Sequence, residues 1–125
     1  MAKMDTFEIG LVMAGAVSAG AYTAGVVDYL LEALQHYGRL RKKFADEHPG
    51  QSLHNVQIRV ISGASAGGMT GTMLLSAMMD EGYRPMSGYD PATVTRPDID
   101  ANVFYRSWVD AKDGIDIRYL LDRSD

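Results

Sequence analysis

The chain has 125 residues, and its 12 Lys and Arg against 16 Asp and Glu give a formal net charge of −4. This length allows one domain with one core, and the acidic balance gives no support for a nucleic-acid partner. The absence of cysteine excludes disulfides, a thiolate nucleophile and cysteine-ligated metals, and it is typical of a reducing compartment. We expect a cytoplasmic protein, either free or peripheral at a membrane, without a bound metal or cofactor.

All the charges lie outside two stretches, Ile9–Val27 and Val60–Met79, each of which has the length of a membrane span. These stretches also contain eight of the thirteen glycines, so neither favours a continuous membrane helix. Asp5 and Glu8 occupy the segment that is basic in a signal peptide, which argues against that interpretation too. We interpret each stretch as a buried strand, a glycine turn and a buried helix.

The first unit starts with a strand at Thr6–Met13 and turns through the small residues of Ala14–Gly20. A helix is predicted from Ala21, and Gly38 either ends it or separates it from a second helix. One face of this helix is apolar and another is polar. The apolar face has Tyr22, Val26, Tyr29, Leu30, Ala33, Leu34 and Tyr37, and the polar face has Asp28, Glu32 and Gln35.

The second unit consists of a strand at Val56–Ser62 and a helix at Ala66–Met79, which has almost no polar face and should be packed on most sides. Two such units predict an α/β fold, with a parallel sheet between helices in a three-layer arrangement. Crossover handedness brings both glycine turns to one edge of that sheet, where ligands bind. Residues 1–80 therefore form the core units, and residues 81–125 form a loop and short helices.

In the second part, Glu81–Pro97 has the composition of an exposed loop. Asp100 is placed to cap a short amphipathic helix that Trp108 anchors, and Asp116 is placed to cap another.

The strongest chemical motif is Gly63-Ala64-Ser65-Ala66-Gly67, which fits G-x-S-x-G between a strand and a helix. In this context Ser65 is a candidate nucleophile, and Gly63 and Gly67 permit the tight turn that exposes it. The alternatives are a turn of purely structural use and a phosphate loop. Met69 stands where a phosphate loop has its lysine, so nucleotide hydrolysis is disfavoured.

A serine nucleophile needs a base, and all three histidines, His36, His48 and His54, precede Ser65. That order is the reverse of the Ser–Asp–His order of α/β-hydrolases, so we expect three solvated surface histidines. The base is then a carboxylate or a group outside this chain.

Together, Gly10–Glu32 and Ile61–Gly71 resemble the patatin-like phospholipases. That family has a glycine-rich oxyanion loop after its first strand, then the G-x-S-x-G elbow, and a distant D-G-[GA] aspartate that completes a Ser–Asp dyad. The first block matches at Gly15, Gly20, Ala21, Tyr22, Gly25 and Val26, and the second at Gly63, Ser65, Ala66 and Gly67. The resemblance implies an acyl hydrolase that acts on lipid or other esters and forms an acyl-enzyme at Ser65.

The resemblance places the oxyanion hole at Gly15, Ala16, Val17 and Ala66. This sequence departs from the family pattern in two respects. Ala16 and Val17 replace glycines of the family's loop, and Ala19 replaces its arginine. The nearest approximation to D-G-[GA] is Asp113-Gly114-Ile115, which follows Ser65 too closely.

We therefore expect this chain to be the N-terminal part of a longer patatin-like domain, with little activity alone and a sheet edge that favours homo-oligomers. The alternative is a non-catalytic lipid-binding or assembly domain. Two groups of side chains have both a lipid-related and an ordinary interpretation. The basic residues at Arg39–Lys43 either contact anionic headgroups or complement a helix end, and the methionines of Ala66–Met79 either line an acyl groove or fill the core.

Overall fold

The computed structural model describes residues 5–15, 20–86 and 92–110. The helix predicted after Asp116 lies outside these residues. Within them, the chain forms β1 (Thr6–Met13), α1 (Gly20–Glu47), β2 (Asn55–Gly63), α2 (Ala66–Met79), α3 (Arg96–Asp100) and α4 (Val103–Trp108). The two strands pair in parallel, which confirms the predicted α/β class.

The two strands end at the same level of the sheet. Met13, the last residue of β1, is opposite Gly63, the last residue of β2, and the register shifts once between Ile9 and Gly10. The turns that follow the strands therefore start side by side at the carboxyl edge, as the sequence predicts.

The core lies against one face of this sheet. It contains Met13, Ala24, Val27, Leu31, Leu74, Ala77, Tyr83 and Phe104. Side chains alternate between the faces of a strand, and those on the other face are exposed: Val12 is 84% exposed and Val60 is 58% exposed. The described residues thus cover one face with helices and do not form the second helical layer of the three-layer arrangement.

The prediction that Gly38 ends or divides the first helix is wrong, because α1 continues for 28 residues to Glu47. A glycine in an exposed helix costs only about 1 kcal/mol. Contacts with the residues at the start of β2 hold the second half of α1: the Tyr37 hydroxyl donates to the carbonyl of His54, which precedes the strand (2.9 Å), and Arg41 Nη1 donates to Oδ1 of Asn55, its first residue (2.9 Å).

The buried face of α1 also differs from its predicted apolar face. Tyr22 is 77% exposed and Tyr29 is 65% exposed, whereas Asp28 from the predicted polar face is buried. The residues that face the core are instead Gly20, Ala24, Val27, Asp28 and Leu31. Helical periodicity alone did not identify this face, because Asp28 is buried through polar partners that lie far away in sequence.

Helix α2 has its predicted bounds but is not packed on most sides by the described residues. Leu74 is fully buried, whereas Leu75 and Met79 are 51% and 85% exposed. Within the same part of the chain, no helix is long and apolar enough to cross a membrane.

Two predictions for residues 81–110 need correction. The described parts of the predicted loop Glu81–Pro97 are mostly exposed, but Tyr83 is buried and α3 already begins at Arg96. The cap of α4 is Asn102, whose Oδ1 accepts from the Tyr105 N–H at 2.8 Å. Asp100 instead ends α3 and forms an ion pair with Arg96 (2.9 Å).

Candidate active site

Ser65 lies in the tight turn between β2 and α2 and is exposed to solvent. Its backbone has φ 51° and ψ −121°, and no other non-glycine residue of the described part has a positive φ. A non-glycine residue in a sparsely populated backbone region costs about 1–3 kcal/mol, and it persists only where its surroundings impose it. A strained serine between a strand and a helix is the geometry of a nucleophile elbow.

Backbone hydrogen bonds on both sides impose this conformation on Ser65. The Ala64 N–H donates to the Met13 carbonyl at 3.3 Å, which ties the turn to the end of β1. The Gly67 N–H donates to the Ala64 carbonyl at 2.9 Å, and the Met69 N–H donates to the Ser65 carbonyl at 3.0 Å. The turn is therefore closed by the main chain alone.

Gly63 and Gly67 allow the backbone segments of this turn to approach closely. A Cβ atom on Gly63 would lie 2.6 Å from the Gly67 carbonyl oxygen, and one on Gly67 would lie 2.7 Å from the Met13 carbonyl carbon. Both distances are shorter than real Cβ atoms adopt, and the obstructing atoms are backbone atoms that cannot rotate away. Any side chain at either position would have to displace a strand or the helix.

Gly15, the first predicted member of the oxyanion hole, lies directly against the serine. A Cβ atom on Gly15 would lie 2.7 Å from the Ala64 carbonyl oxygen and 3.0 Å from Ser65 Cβ. The structure thus brings Gly15, near the start of the first glycine turn, against the second turn, and Ala16 and Val17 lie outside the described residues. Ala66 is buried at the start of α2, in the helix turn whose N–H groups lack intrahelical acceptors.

The three histidines are exposed, as the sequence predicts. His54 precedes the nine-residue strand β2 and Ser65 follows it, so about 30 Å of strand separates them. His54 therefore lies too far from Ser65 to accept its proton. Asp113, the other residue considered for this role, lies outside the described residues.

The basic residues of α1 lie at the opposite edge of the sheet from Ser65. Arg41 donates to the Leu53 carbonyl (3.3 Å) and to the Asn55 side chain, so it joins α1 to the start of β2. Lys43 forms an exposed pair with Glu47 (3.7 Å). These contacts give Arg41 a structural role far from Ser65. The prediction that the basic residues complement a helix end is wrong, because α1 continues to Glu47 and its last turn has no basic residue.

A buried polar cluster around Asp28 joins α1 to the later part of the chain, and sequence reasoning missed it. Asp28 is 5% exposed and accepts hydrogen bonds from Asn102 Nδ2 (2.8 Å), from the Met86 N–H (2.8 Å) and from the Tyr83 hydroxyl. Burial, reinforced by the hydrogen bond to Asp28, raises the pKa of Tyr83 well above its ordinary value. The signal in the sequence was one carboxylate inside the apolar run VVDYLL.

The described residues contain no group of three or more His, Asp or Glu side chains that could hold a metal ion. Their chemistry at the carboxyl edge is thus a serine hydroxyl, backbone N–H donors and the start of a helix. These are the components of acyl transfer through an oxyanion.

Comparison with known proteins agrees with this geometry. The family model described as "Patatin-like phospholipase" matches residues 11–111, which include both glycine turns. The chain therefore belongs to the patatin-like phospholipases, a family of lipid hydrolases.

A curated relative from Sinorhizobium fredii (strain NBRC 101917 / NGR234), described as "Uncharacterized protein y4iI", is 46% identical over 65 residues. The match covers 52% of this chain and 9% of the relative, so the chain corresponds to a small part of that protein's length. No solved structure matches the chain.

Proposed function

We propose that this chain supplies the nucleophile and oxyanion donors of a lipid acyl hydrolase, with Ser65 as the nucleophile. The observation that carries the proposal is the backbone of Ser65, which is held at φ 51° by contacts that only glycine permits at Gly63 and Gly67. Such backbone strain is expected in a turn that exposes a reactive hydroxyl, because a turn with only a structural role can form without it.

In the proposed reaction, Ser65 Oγ attacks the ester carbonyl while a base takes the hydroxyl proton. The carbonyl oxygen becomes an oxyanion, which accepts hydrogen bonds from backbone N–H groups at Gly15–Val17 and Ala66. Collapse of this intermediate breaks the ester bond, and the base passes its proton to the departing alkoxide, which leaves as the alcohol from an acyl-enzyme. The same base then takes a proton from water, which attacks the acyl carbonyl. Collapse of the second intermediate releases the carboxylic acid, and the base returns the proton to Ser65 Oγ.

The base in this proposal is an aspartate outside the described residues, as in the Ser–Asp dyad that the family resemblance implies. The distance between His54 and Ser65 supports a base other than that histidine, because about 30 Å of strand separates the two. An aspartate beside the elbow would be ionised at neutral pH in the resting enzyme and could therefore accept the serine proton during the attack.

The substrate class is a lipid ester, and a cytoplasmic protein that acts on it must reach a membrane surface. We propose that it does so at the carboxyl edge of the sheet. Ser65 is exposed there, whereas the basic residues of α1 lie at the other edge and would turn the serine away from the bilayer.

Labelling of the full-length protein with a fluorophosphonate, combined with turnover of p-nitrophenyl butyrate and phospholipid vesicles, tests the proposal. We expect Ser65→Ala to lose labelling and to lose at least about 1,000-fold in turnover, as nucleophile removal does in serine hydrolases. Ser76→Ala is the matched control, because Ser76 is an exposed serine of α2. Labelling that persists in Ser65→Ala contradicts the proposal, and vesicle binding without turnover indicates the non-catalytic alternative.

A further inference from the structure

Trp108, the last residue of α4, lies against the first residue of α1. A Cβ atom on Gly20 would lie 2.6 Å from Trp108 Cε3 and still closer to Cζ3 and Cη2, and all three atoms belong to the six-membered ring of the indole. Gly20 is buried beneath this ring. The absence of a side chain at Gly20 is therefore what allows the indole to rest on the main chain.

The position of α4, and hence of Trp108, is fixed by groups other than the indole. Asn102 caps the helix through Tyr105, and its Nδ2 donates to Asp28 Oδ1 (2.8 Å) and to the Arg84 carbonyl (2.8 Å). Phe104 is 2% exposed and packs edge-on against the ring of Tyr83. Trp108 thus projects from an anchored helix onto Gly20.

The indole is not placed there for a hydrogen bond. Trp108 Nε1 is buried without a hydrogen-bond partner among the described residues, and burial of an unsatisfied N–H group is unfavourable. A phenylalanine would avoid this cost but would lack the outer ring that touches Gly20. The size and reach of the indole therefore explain the residue better than its N–H group does.

Gly20 lies at the α1 end of the glycine turn Ala14–Gly20, and Gly15 lies at its β1 end, where an added Cβ would meet Ala64 and Ser65. We propose that Trp108 is a positioning residue for the oxyanion donor at Gly15: by fixing Gly20, it keeps Gly15 aligned with Ser65. The inference rests on the proposed function of Ser65. Trp108 touches no reacting atom and acts through its contact with Gly20.

The test compares Gly20→Ala with Gly25→Ala in the full-length protein. Both changes add one methyl group to α1, but the added Cβ meets the indole at Gly20 and nothing within 4 Å at Gly25. We expect Gly20→Ala to lower kcat by about 10-fold to 100-fold with KM within two-fold, because a displacement near 1 Å or a weakened oxyanion donor has effects of this size. Gly25→Ala should keep the kcat of the wild type.

Substitution of Trp108 gives the second arm. Trp108→Phe should lower kcat in the same way, and 2-naphthylalanine, which keeps two fused rings without the N–H group, should restore it. Thermal unfolding of each variant shows that kcat is measured on folded protein. Fluorine NMR of protein labelled with 5-fluorotryptophan reports on the contact itself. The Trp108 resonance is the one that disappears in Trp108→Phe. It should shift in Gly20→Ala and keep its position in Gly25→Ala.

Wild-type kcat in both Gly20→Ala and Trp108→Phe overturns the role of Trp108 while leaving Ser65 as the nucleophile. An unshifted fluorine resonance in Gly20→Ala overturns the contact itself. A wild-type protein whose turnover does not depend on Ser65 overturns the proposed function first, and the role of Trp108 with it.

Discussion

The elbow around Ser65 and the cluster around Asp28 are both closely packed, but for opposite reasons. At the elbow, backbone meets backbone, and the fit depends on side chains that are absent at Gly15, Gly63 and Gly67. At the cluster, a buried carboxylate accepts hydrogen bonds from residues that lie 55 to 74 positions away in sequence. The first region leaves Ser65 exposed, and the second joins α1 to α4 and to the segment before it.

The largest effect is expected where a side chain is added to the elbow. Gly67→Ala places a Cβ 2.7 Å from the Met13 carbonyl carbon and 2.9 Å from the Ala14 carbonyl oxygen, so β1 and α2 must separate. We expect the free energy of unfolding to fall by about 3 kcal/mol, the upper end for overpacking, in urea denaturation.

Gly38→Ala is the control for this change, because its Cβ meets nothing within 4 Å on exposed α1. It should raise the free energy of unfolding by about 0.5–1 kcal/mol through higher helix propensity. Equal effects of the two substitutions would show that the elbow is not closely packed.

A somewhat smaller effect is expected at the polar cluster. Asp28→Asn keeps the shape of the side chain but replaces one acceptor oxygen with a donor, which then faces the donors of Asn102 or Met86. Because buried donors are left without acceptors, we expect a loss of about 2 kcal/mol in urea denaturation. Asp46→Asn, on the exposed part of α1, should change stability by less than about 0.5 kcal/mol.

The third prediction concerns the strain at Ser65 itself. Glycine adopts φ 51° without the Cβ penalty that alanine retains, so Ser65→Gly should be more stable than Ser65→Ala by about 1 kcal/mol. Both variants lose the hydroxyl, and neither should react with a fluorophosphonate. A Ser65→Gly protein that is less stable than Ser65→Ala would show that the turn relaxes in solution.

The smallest effect is expected at the amino edge of the sheet. Arg41→Ala removes two part-buried hydrogen bonds between α1 and the start of β2, and should cost about 1 kcal/mol. Fluorophosphonate labelling should keep its wild-type rate, since this edge lies about 30 Å from Ser65. Lys42→Ala is the control for the loss of a positive charge, because Lys42 is an exposed neighbour of Arg41. A lower labelling rate in Arg41→Ala but not in Lys42→Ala would contradict this prediction, because it would show that the amino edge affects Ser65.

The elbow and the Asp28 cluster also differ in how well the sequence predicts them. The elbow was predictable because its requirements are local: a strand, a run of Gly and Ala around Ser65, and a helix appear in order within about 20 residues. The bounds of β1 and α2 followed from the same local patterns.

The Asp28 cluster was not predictable by this reasoning, because it depends on the register between distant segments. Periodicity placed Asp28 on a polar face, and only the fold shows the donors of Tyr83 and Asn102 that compensate its burial. The cap at Asn102 in place of Asp100 has the same origin, since Asn102 serves both α4 and Asp28.

The assignment of Ser65 as the nucleophile can be tested by mapping the covalent adduct. The full-length protein is treated with a fluorophosphonate, digested, and each modified serine is located by tandem mass spectrometry. We expect a single adduct on Ser65 within the peptide that contains GASAG, with none at Ser62 or Ser76. An adduct at another serine, with Ser65 unmodified, would contradict it.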